Sequence, residues 1–220
     1  DERFGTVAGL QNLVESAQEK EMKVVLDFVL THVSPDHPWA AENSDWVSGE
    51  VSNQWGSNLP KLDTNNPEVQ KYIIETAIHW MNVFNIDGFH FYVDETIPIT
   101  FLEQLESRIL LENEEAIIMI DGNSMACSIN HDFQQKTVDT LKQAGESLYP
   151  ILEQIAQEEK DFIYILDSPT TTRFAYEANQ EGYHPVTRWK LATTFMYTLP
   201  GSPMIYQGTE VPMDNGKPEP

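Results

Sequence analysis

The sequence predicts an α/β fold built around a parallel sheet, and three observations carry that prediction. Short runs rich in β-branched and aromatic residues alternate with longer stretches of helical period, glycines punctuate the turns, and no internal repeat or low-complexity linker breaks the series. With 220 residues, 40% of them hydrophobic and 10% aromatic, the chain has the length and composition of a globular protein with one sizeable core.

Residues 9–20 have the period of a helix, and residues 22–30 read as a buried strand. Residues 31–60 form an inserted loop that carries Trp39, Trp46 and Trp55. Their indole faces suit sugar rings, and they equally suit a staple that fastens a long loop to its scaffold. Residues 67–84 follow as a helix with Pro67 near its first turn, leading through Asn85 into a strand at 86–93. Residues 100–113 are again helical, and 116–121 are apolar enough for a central strand. A short strand at 127–132, a helix at 134–159 and an apolar strand at 162–166 come next. The helix at 186–198 stops at Leu199-Pro200-Gly201, ahead of a last strand at 203–206.

That makes six strands, each preceded or followed by a helix. A closed barrel of such units needs eight strands, and an open parallel sheet leaves two unpaired edges that invite aggregation. The chain starts on a helix without its preceding strand. The expectation is therefore that two strands come from a longer parent polypeptide or, less favoured, from a second chain.

Thirteen Lys and Arg against thirty-five Asp and Glu give a net charge of -22, spread along the chain. That charge disfavours nucleic acid and anionic lipid as partners. No apolar run approaches the roughly 20 residues that span a bilayer, and the chain opens on Asp1-Glu2-Arg3 rather than on a signal sequence. Any targeting segment is expected to be absent or removed, and no membrane partner is expected. Cys127 is the lone cysteine, read as a core filler, and no Cys/His spacing suggests zinc.

Three segments together resemble the α-amylase superfamily, glycoside hydrolase family 13. The first is Val24-Val25-Leu26-Asp27-Phe28-Val29-Leu30-Thr31-His32 with Ser34 and His37-Pro38-Trp39. The second is Leu59-Pro60-Lys61-Leu62-Asp63-Thr64-Asn65-Asn66-Pro67-Glu68-Val69, running on through Trp80 to Asp87-Gly88-Phe89. The third is Leu199-Pro200-Gly201-Ser202-Pro203-Met204-Ile205-Tyr206-Gln207-Gly208-Thr209-Glu210. The resemblance implies a (β/α)8 TIM-type barrel with its site at the carboxyl ends of the strands. On that map residues 1–220 are a partial amylase-type barrel with strands 3 to 8 present and strands 1 and 2 missing. Asp27 then lies on strand three, Gly88 on four, Asp121 near the end of five, Leu166 on seven and Ile205 on eight. Residues 31–60 become a reduced version of the small domain that the family inserts after strand three.

Retaining glycosidases hold two carboxyl groups about 5 to 5.5 Å apart, one as nucleophile and one as proton donor. The family adds a third, an Asp that grips sugar hydroxyls. Here the strand-four pattern Gly-Phe-Arg-x-Asp is written Gly88-Phe89-His90-Phe91-Tyr92, which puts Tyr92 in the nucleophile's slot and His90 in that of the Arg. A phenol with a pKa near 10 is a poor nucleophile at neutral pH. In Ile117-Ile118-Met119-Ile120-Asp121-Gly122-Asn123 either Asp121 or Gly122 falls where the acidic Glu belongs, and Asp is one methylene short. Aligned on Thr171-Thr172-Arg173-Phe174, the third slot is held by Thr170.

The resulting expectation is a catalytically impaired domain that retains a carbohydrate-binding cleft for an α-glucan or oligosaccharide, or that serves as a scaffold. Asp27 and His32 match family positions that contact substrate and brace the site. With His90, Asp94 and Asp167 they make up the expected substrate-binding set. Two alternatives stand beside this reading. One is an active α-glucan hydrolase or transferase using displaced acids such as Asp94 and Asp121. The other is a structural subunit whose barrel is completed by another chain. Thr31 replaces a family Asn that ligates calcium, so no metal or other cofactor is expected. Resemblance to starch-active bacterial members favours an extracellular over a cytoplasmic location.

Overall fold

Two units, Asp1–Asp121 and Gly122–Pro220, make up the chain. The computed structural model describes residues 3, 5–41, 45–53, 58–121, 128–141, 147–157, 162–180 and 184–215.

In the first unit, helix α1 (Val7–Gln18) begins where the Thr6 hydroxyl accepts the Gly9 N–H at 3.1 Å, satisfying one of the orphan donors of the first turn. Strand β1 (Val25–Val29) follows, then the short helix α2 (Pro38–Ala41) and an antiparallel pair, β2 (Val47–Ser52) with β3 (Leu59–Leu62). Helix α3 (Pro67–Phe84) is bounded as its sequence dictates. The Asn66 side chain accepts the Glu68 N–H at 2.9 Å, Pro67 presets the backbone, and Asn85 ends the helix in a left-handed conformation with φ of 52°. Its buried stripe, Val69, Ile73, Ala77, Met81 and Phe84, follows helical spacing. Strand β4 (Gly88–Tyr92), helix α4 (Ile99–Glu112) and strand β5 (Ile117–Asp121) complete the unit. The strands lie parallel in the order β1-β4-β5, and all five residues of central β4 are buried.

Asp87 ties the amino ends of these strands together. Its carboxylate accepts from Lys23 Nζ at 2.9 Å, the Val24 N–H at 2.9 Å and Gln18 Nε2 at 3.0 Å, while its own N–H donates to Val24 O at 2.8 Å. Burial pushes its pKa upward, but the bonds from Gln18, Val24 and Lys23 outweigh that and hold it below the ordinary 3.8. A depressed folded-state pKa contributes stability that is present above about pH 4 and lost as pH falls through the folded value. Asp87→Asn is accordingly expected to cost about 1 to 2 kcal/mol at neutral pH. The gap from the parent should narrow as urea midpoints are followed below pH 4; a gap that stays constant would contradict this role.

In the second unit, strands β6 (Ser128–Ile129), β7 (Phe162–Tyr164) and β8 (Ser202–Pro203) are parallel in that order. Helices α5 (His131–Leu141), α6 (Tyr149–Gln157), α7 (Phe174–Gln180) and α8 (Pro185–Tyr197) surround a core that includes Phe133, Leu141, Phe162, Tyr164, Phe174 and Phe195. Asn130 caps α5 by accepting the Phe133 N–H at 2.7 Å.

The parallel strands and flanking helices bear out the α/β expectation inside each unit, with several corrections. The loop expected at 31–60 carries α2 and β2, and β3 starts at its end and runs on to Leu62; Trp55 falls outside the described residues. The expected strand at 127–132 is reduced to β6, because Asn130 starts a helix and draws His131 and Asp132 into it; Cys127 is outside the described residues. The single helix expected at 134–159 is two helices, with Pro150 in the first turn of α6, where its missing N–H costs little. Helix α7 was not anticipated, and the last strand is β8 rather than 203–206. Among the described residues no helix is long and apolar enough to cross a membrane.

Candidate functional site

Alternation along the strands sorts the first unit's side chains onto two faces. Phe28, Phe89 and Phe91 pack together on one, with ring centroids 5.3 to 5.9 Å apart. Asp27, His90, Tyr92, Met119 and Asp121 belong to the other. Register places Asp27, His90 and Met119 side by side across β1, β4 and β5, and Val29, Tyr92 and Asp121 side by side at the carboxyl ends. This brings four of the sequence-predicted residues together.

His90 and Tyr92 are each 5% exposed, and their rings lie 4.3 Å apart. His90 Nδ1 is 2.9 Å from Asp27 Oδ1, whereas the Asp27 side chain is 67% exposed. The second ring nitrogen, Nε2, is buried without a hydrogen-bond partner. Asp121 closes β5 and is half-buried; Gly122, the other candidate for the acid's slot, is outside the described residues.

Past the strand ends lies a second group. His32 pairs with Lys61 in an isolated antiparallel bridge, and its Nδ1 is 2.8 Å from the Thr31 hydroxyl. Burial lowers the His32 pKa; Asp94 opposes that and Lys61 reinforces it, and the net effect favours the neutral imidazole. Lys61 Nζ is 3.0 Å from Asp94 Oδ2, with both side chains less than a fifth exposed. The other Asp94 oxygen accepts the Thr96 N–H at 2.9 Å and the Thr96 hydroxyl. Burial pushes the Asp94 pKa up, but Thr96 and Lys61 hold it below the usual value. Asp94 is thus a fixed carboxylate with its acceptor sites in use, not a poised proton donor. Lys61 is a site residue that sequence reasoning missed, because its pairing with His32 is a contact between segments that no local rule announces.

In the second unit, Asp167 is 4% exposed and fully engaged. It accepts the Phe174 N–H at 2.7 Å and the Thr209 hydroxyl at 2.7 Å, and it faces Arg173 Nη1 at 3.7 Å. Arg173 in turn lies over the Tyr206 ring at 4.6 Å. Asp167 therefore anchors α7, with no oxygen turned to solvent for a substrate. Thr170 sits in a hydroxyl cluster, its Oγ1 3.1 Å from Ser168 Oγ, and brings no charge at neutral pH.

Trp39 and Trp46 pack against each other and against Tyr72 of α3. Trp39 meets Trp46 edge-on at 4.6 Å and Tyr72 at 5.0 Å, which is the staple arrangement. Among the described residues no group of three or more His, Cys, Asp or Glu side chains converges to hold a metal ion.

Known proteins resemble this chain in sequence and fold. The family model "Alpha amylase, catalytic domain" matches residues 1–55. The chain is 23% identical over 256 residues to the intracellular maltogenic amylase of Bacillus subtilis (strain 168), covering 100% of this chain and 43% of that protein. It is 27% identical over 253 residues to a cyclomaltodextrinase of Thermoanaerobacter pseudethanolicus, covering 97% and 43%. Among solved structures, an Anoxybacillus α-amylase superposes with a TM-score of 0.85 at 27% identity, over 97% of this chain and 54% of that one. The Geobacillus thermoleovorans α-amylase complexed with acarbose gives 0.85 at 27%, over 99% and 56%. The chain spans less than half the length of these curated relatives.

Proposed function

We propose that this chain is a member of the α-amylase superfamily and a carbohydrate-active domain with impaired bond-cleaving chemistry, which retains a cleft for α-glucans or malto-oligosaccharides. In this reading its parallel strands are strands 3 to 8 of the superfamily barrel, with strands 1 and 2 supplied by the rest of a longer polypeptide or by a second chain. The site is the face bearing Asp27, His90, Tyr92 and Asp121, with His32 beyond the strand ends.

The observation that carries the reading is the state of the nucleophile's slot. On the motif alignment Tyr92 takes that slot, and it is buried at 5% exposure against His90, which Asp27 engages. His90 does not serve that phenol as a base, since its Nε2 makes no hydrogen bond. Thr170 offers no carboxylate in the third slot. The relatives' names, maltogenic amylase and cyclomaltodextrinase, suggest α-glucans as the ligand class.

In the displaced-acid reading Asp94 is not the proton donor, because Lys61 and Thr96 hold it and keep it ionised. Titration calorimetry with maltotriose tests the cleft. Saturable heat is expected, with affinity reduced about tenfold by His32→Ala, the scale of one lost ligand hydrogen bond. Absence of heat would leave only a scaffold role. Asp94→Asn is expected to leave any residual product formation unchanged. Turnover that this substitution abolishes would establish the displaced-acid enzyme instead.

A further inference from the structure

We infer that Asp27 is a positioning residue that holds His90 in the tautomer protonated at Nδ1, so that Nε2 becomes a buried acceptor for one neutral O–H donor, supplied by a sugar hydroxyl or by a water. The sugar arm rests on the cleft proposed above; the tautomer does not.

The Asp27 carboxylate can only accept, so the 2.9 Å contact requires the proton to be on His90 Nδ1. That leaves the lone pair on Nε2. His90 is 5% exposed, and Nε2 has no protein partner. A proton on Nε2 would bury an N–H without an acceptor, which is worse than burying a bare lone pair. The Tyr92 ring lies 4.3 Å away, yet its hydroxyl does not bond Nε2. Met119, the lateral neighbour on β5, has no O–H to give. A buried polar atom of this kind calls for an occupant. A bare imidazole nitrogen takes either an O–H or a transition cation. The cation is disfavoured because no three-ligand set converges among the described residues.

The size of the effect follows from exposure. Asp27 is two-thirds exposed, so its charge is screened, and its preference for the Nδ1–H form is on the order of tenfold.

The experiment is a long-range proton–nitrogen spectrum of the ¹⁵N-labelled full chain at neutral pH, with His90→Gln assigning its signals among the six histidines. The expected result is a protonated Nδ1 and a bare Nε2 whose resonance is displaced toward the hydrogen-bonded position. Displacement before any sugar is added identifies water as the donor, and displacement only on adding maltotriose identifies a sugar hydroxyl. Asp27→Ala should reduce the tautomer preference about tenfold, and Asp27→Asn, which keeps a neutral acceptor, should fall between. An Nε2–H tautomer or an imidazolium in the parent chain overturns the inference. So does an unchanged tautomer in Asp27→Ala, or stoichiometric Zn²⁺ capturing Nε2. A calorimetric blank with maltotriose alongside the expected tautomer would refute the cleft while leaving this assignment standing, with water as the donor.

Discussion

Asp167→Ala is expected to lower the stability of the chain by about 3 to 5 kcal/mol, read as a shift in the urea midpoint at constant slope. The substitution removes the acceptor of the Phe174 N–H and of the Thr209 hydroxyl, both at 2.7 Å. It also leaves Arg173, only 5% exposed, without its facing carboxylate. The guanidinium has little to fall back on, since its Nε and Nη1 already lack hydrogen-bond partners and the Tyr206 face offers only about 0.5 to 2 kcal/mol. Asp167→Asn keeps an acceptor oxygen for the Phe174 N–H but sets an amide NH2 against Thr209 and Arg173 and loses the charge, so its cost should be intermediate. Adding Arg173→Met to Asp167→Ala should recover part of the loss, because a buried charge without a partner is worse than no charge. A cost below about 1 kcal/mol for Asp167→Ala would show that this node carries no such weight.

Gly88→Ala is expected to cost a similar 3 to 5 kcal/mol, for a steric reason. A Cβ on Gly88 would stand 1.9 Å from the Ile117 carbonyl oxygen and 2.7 Å from its carbon. Both are backbone atoms of the neighbouring strand, so no side chain can swing aside. Strands β4 and β5 would have to separate, and the register that aligns Tyr92 with Asp121 would go with them. Gly49 provides the contrast. Its φ of 81° favours glycine, but nothing lies within 4 Å of a Cβ there, so Gly49→Ala should cost only about 1 kcal/mol. Comparable losses at both positions would contradict the close approach at Gly88.

What was legible in the sequence was whatever local rules fix. Pro67 and Asn85 bound α3 because one presets a backbone angle and the other tolerates a left-handed one. The two faces of β4 follow from alternation alone, so the grouping of His90 and Tyr92 could be anticipated. The β2/β3 pair could not, because its strands are mostly exposed or half-buried and carry no clean alternation. Asp94 and Asp167 follow strands β4 and β7 in the chain, but a sequence does not say which donors a carboxylate will meet. Lys61 with Thr96 takes the first, and α7 with Thr209 takes the second. The His90–Asp27 contact belongs to the same class, since it needs the register of two strands 63 positions apart in the chain.

The proposed impairment is tested most directly by prolonged incubation of the unaltered chain with maltoheptaose and with a cyclic maltodextrin, followed by chromatography of the products. No glucose, maltose or transfer product should accumulate above the enzyme-free control, even where calorimetry registers binding. Steady release of shorter sugars, lost on heat denaturation of the protein and unaffected by trace-contaminant controls, would show that a working pair of acids exists here after all.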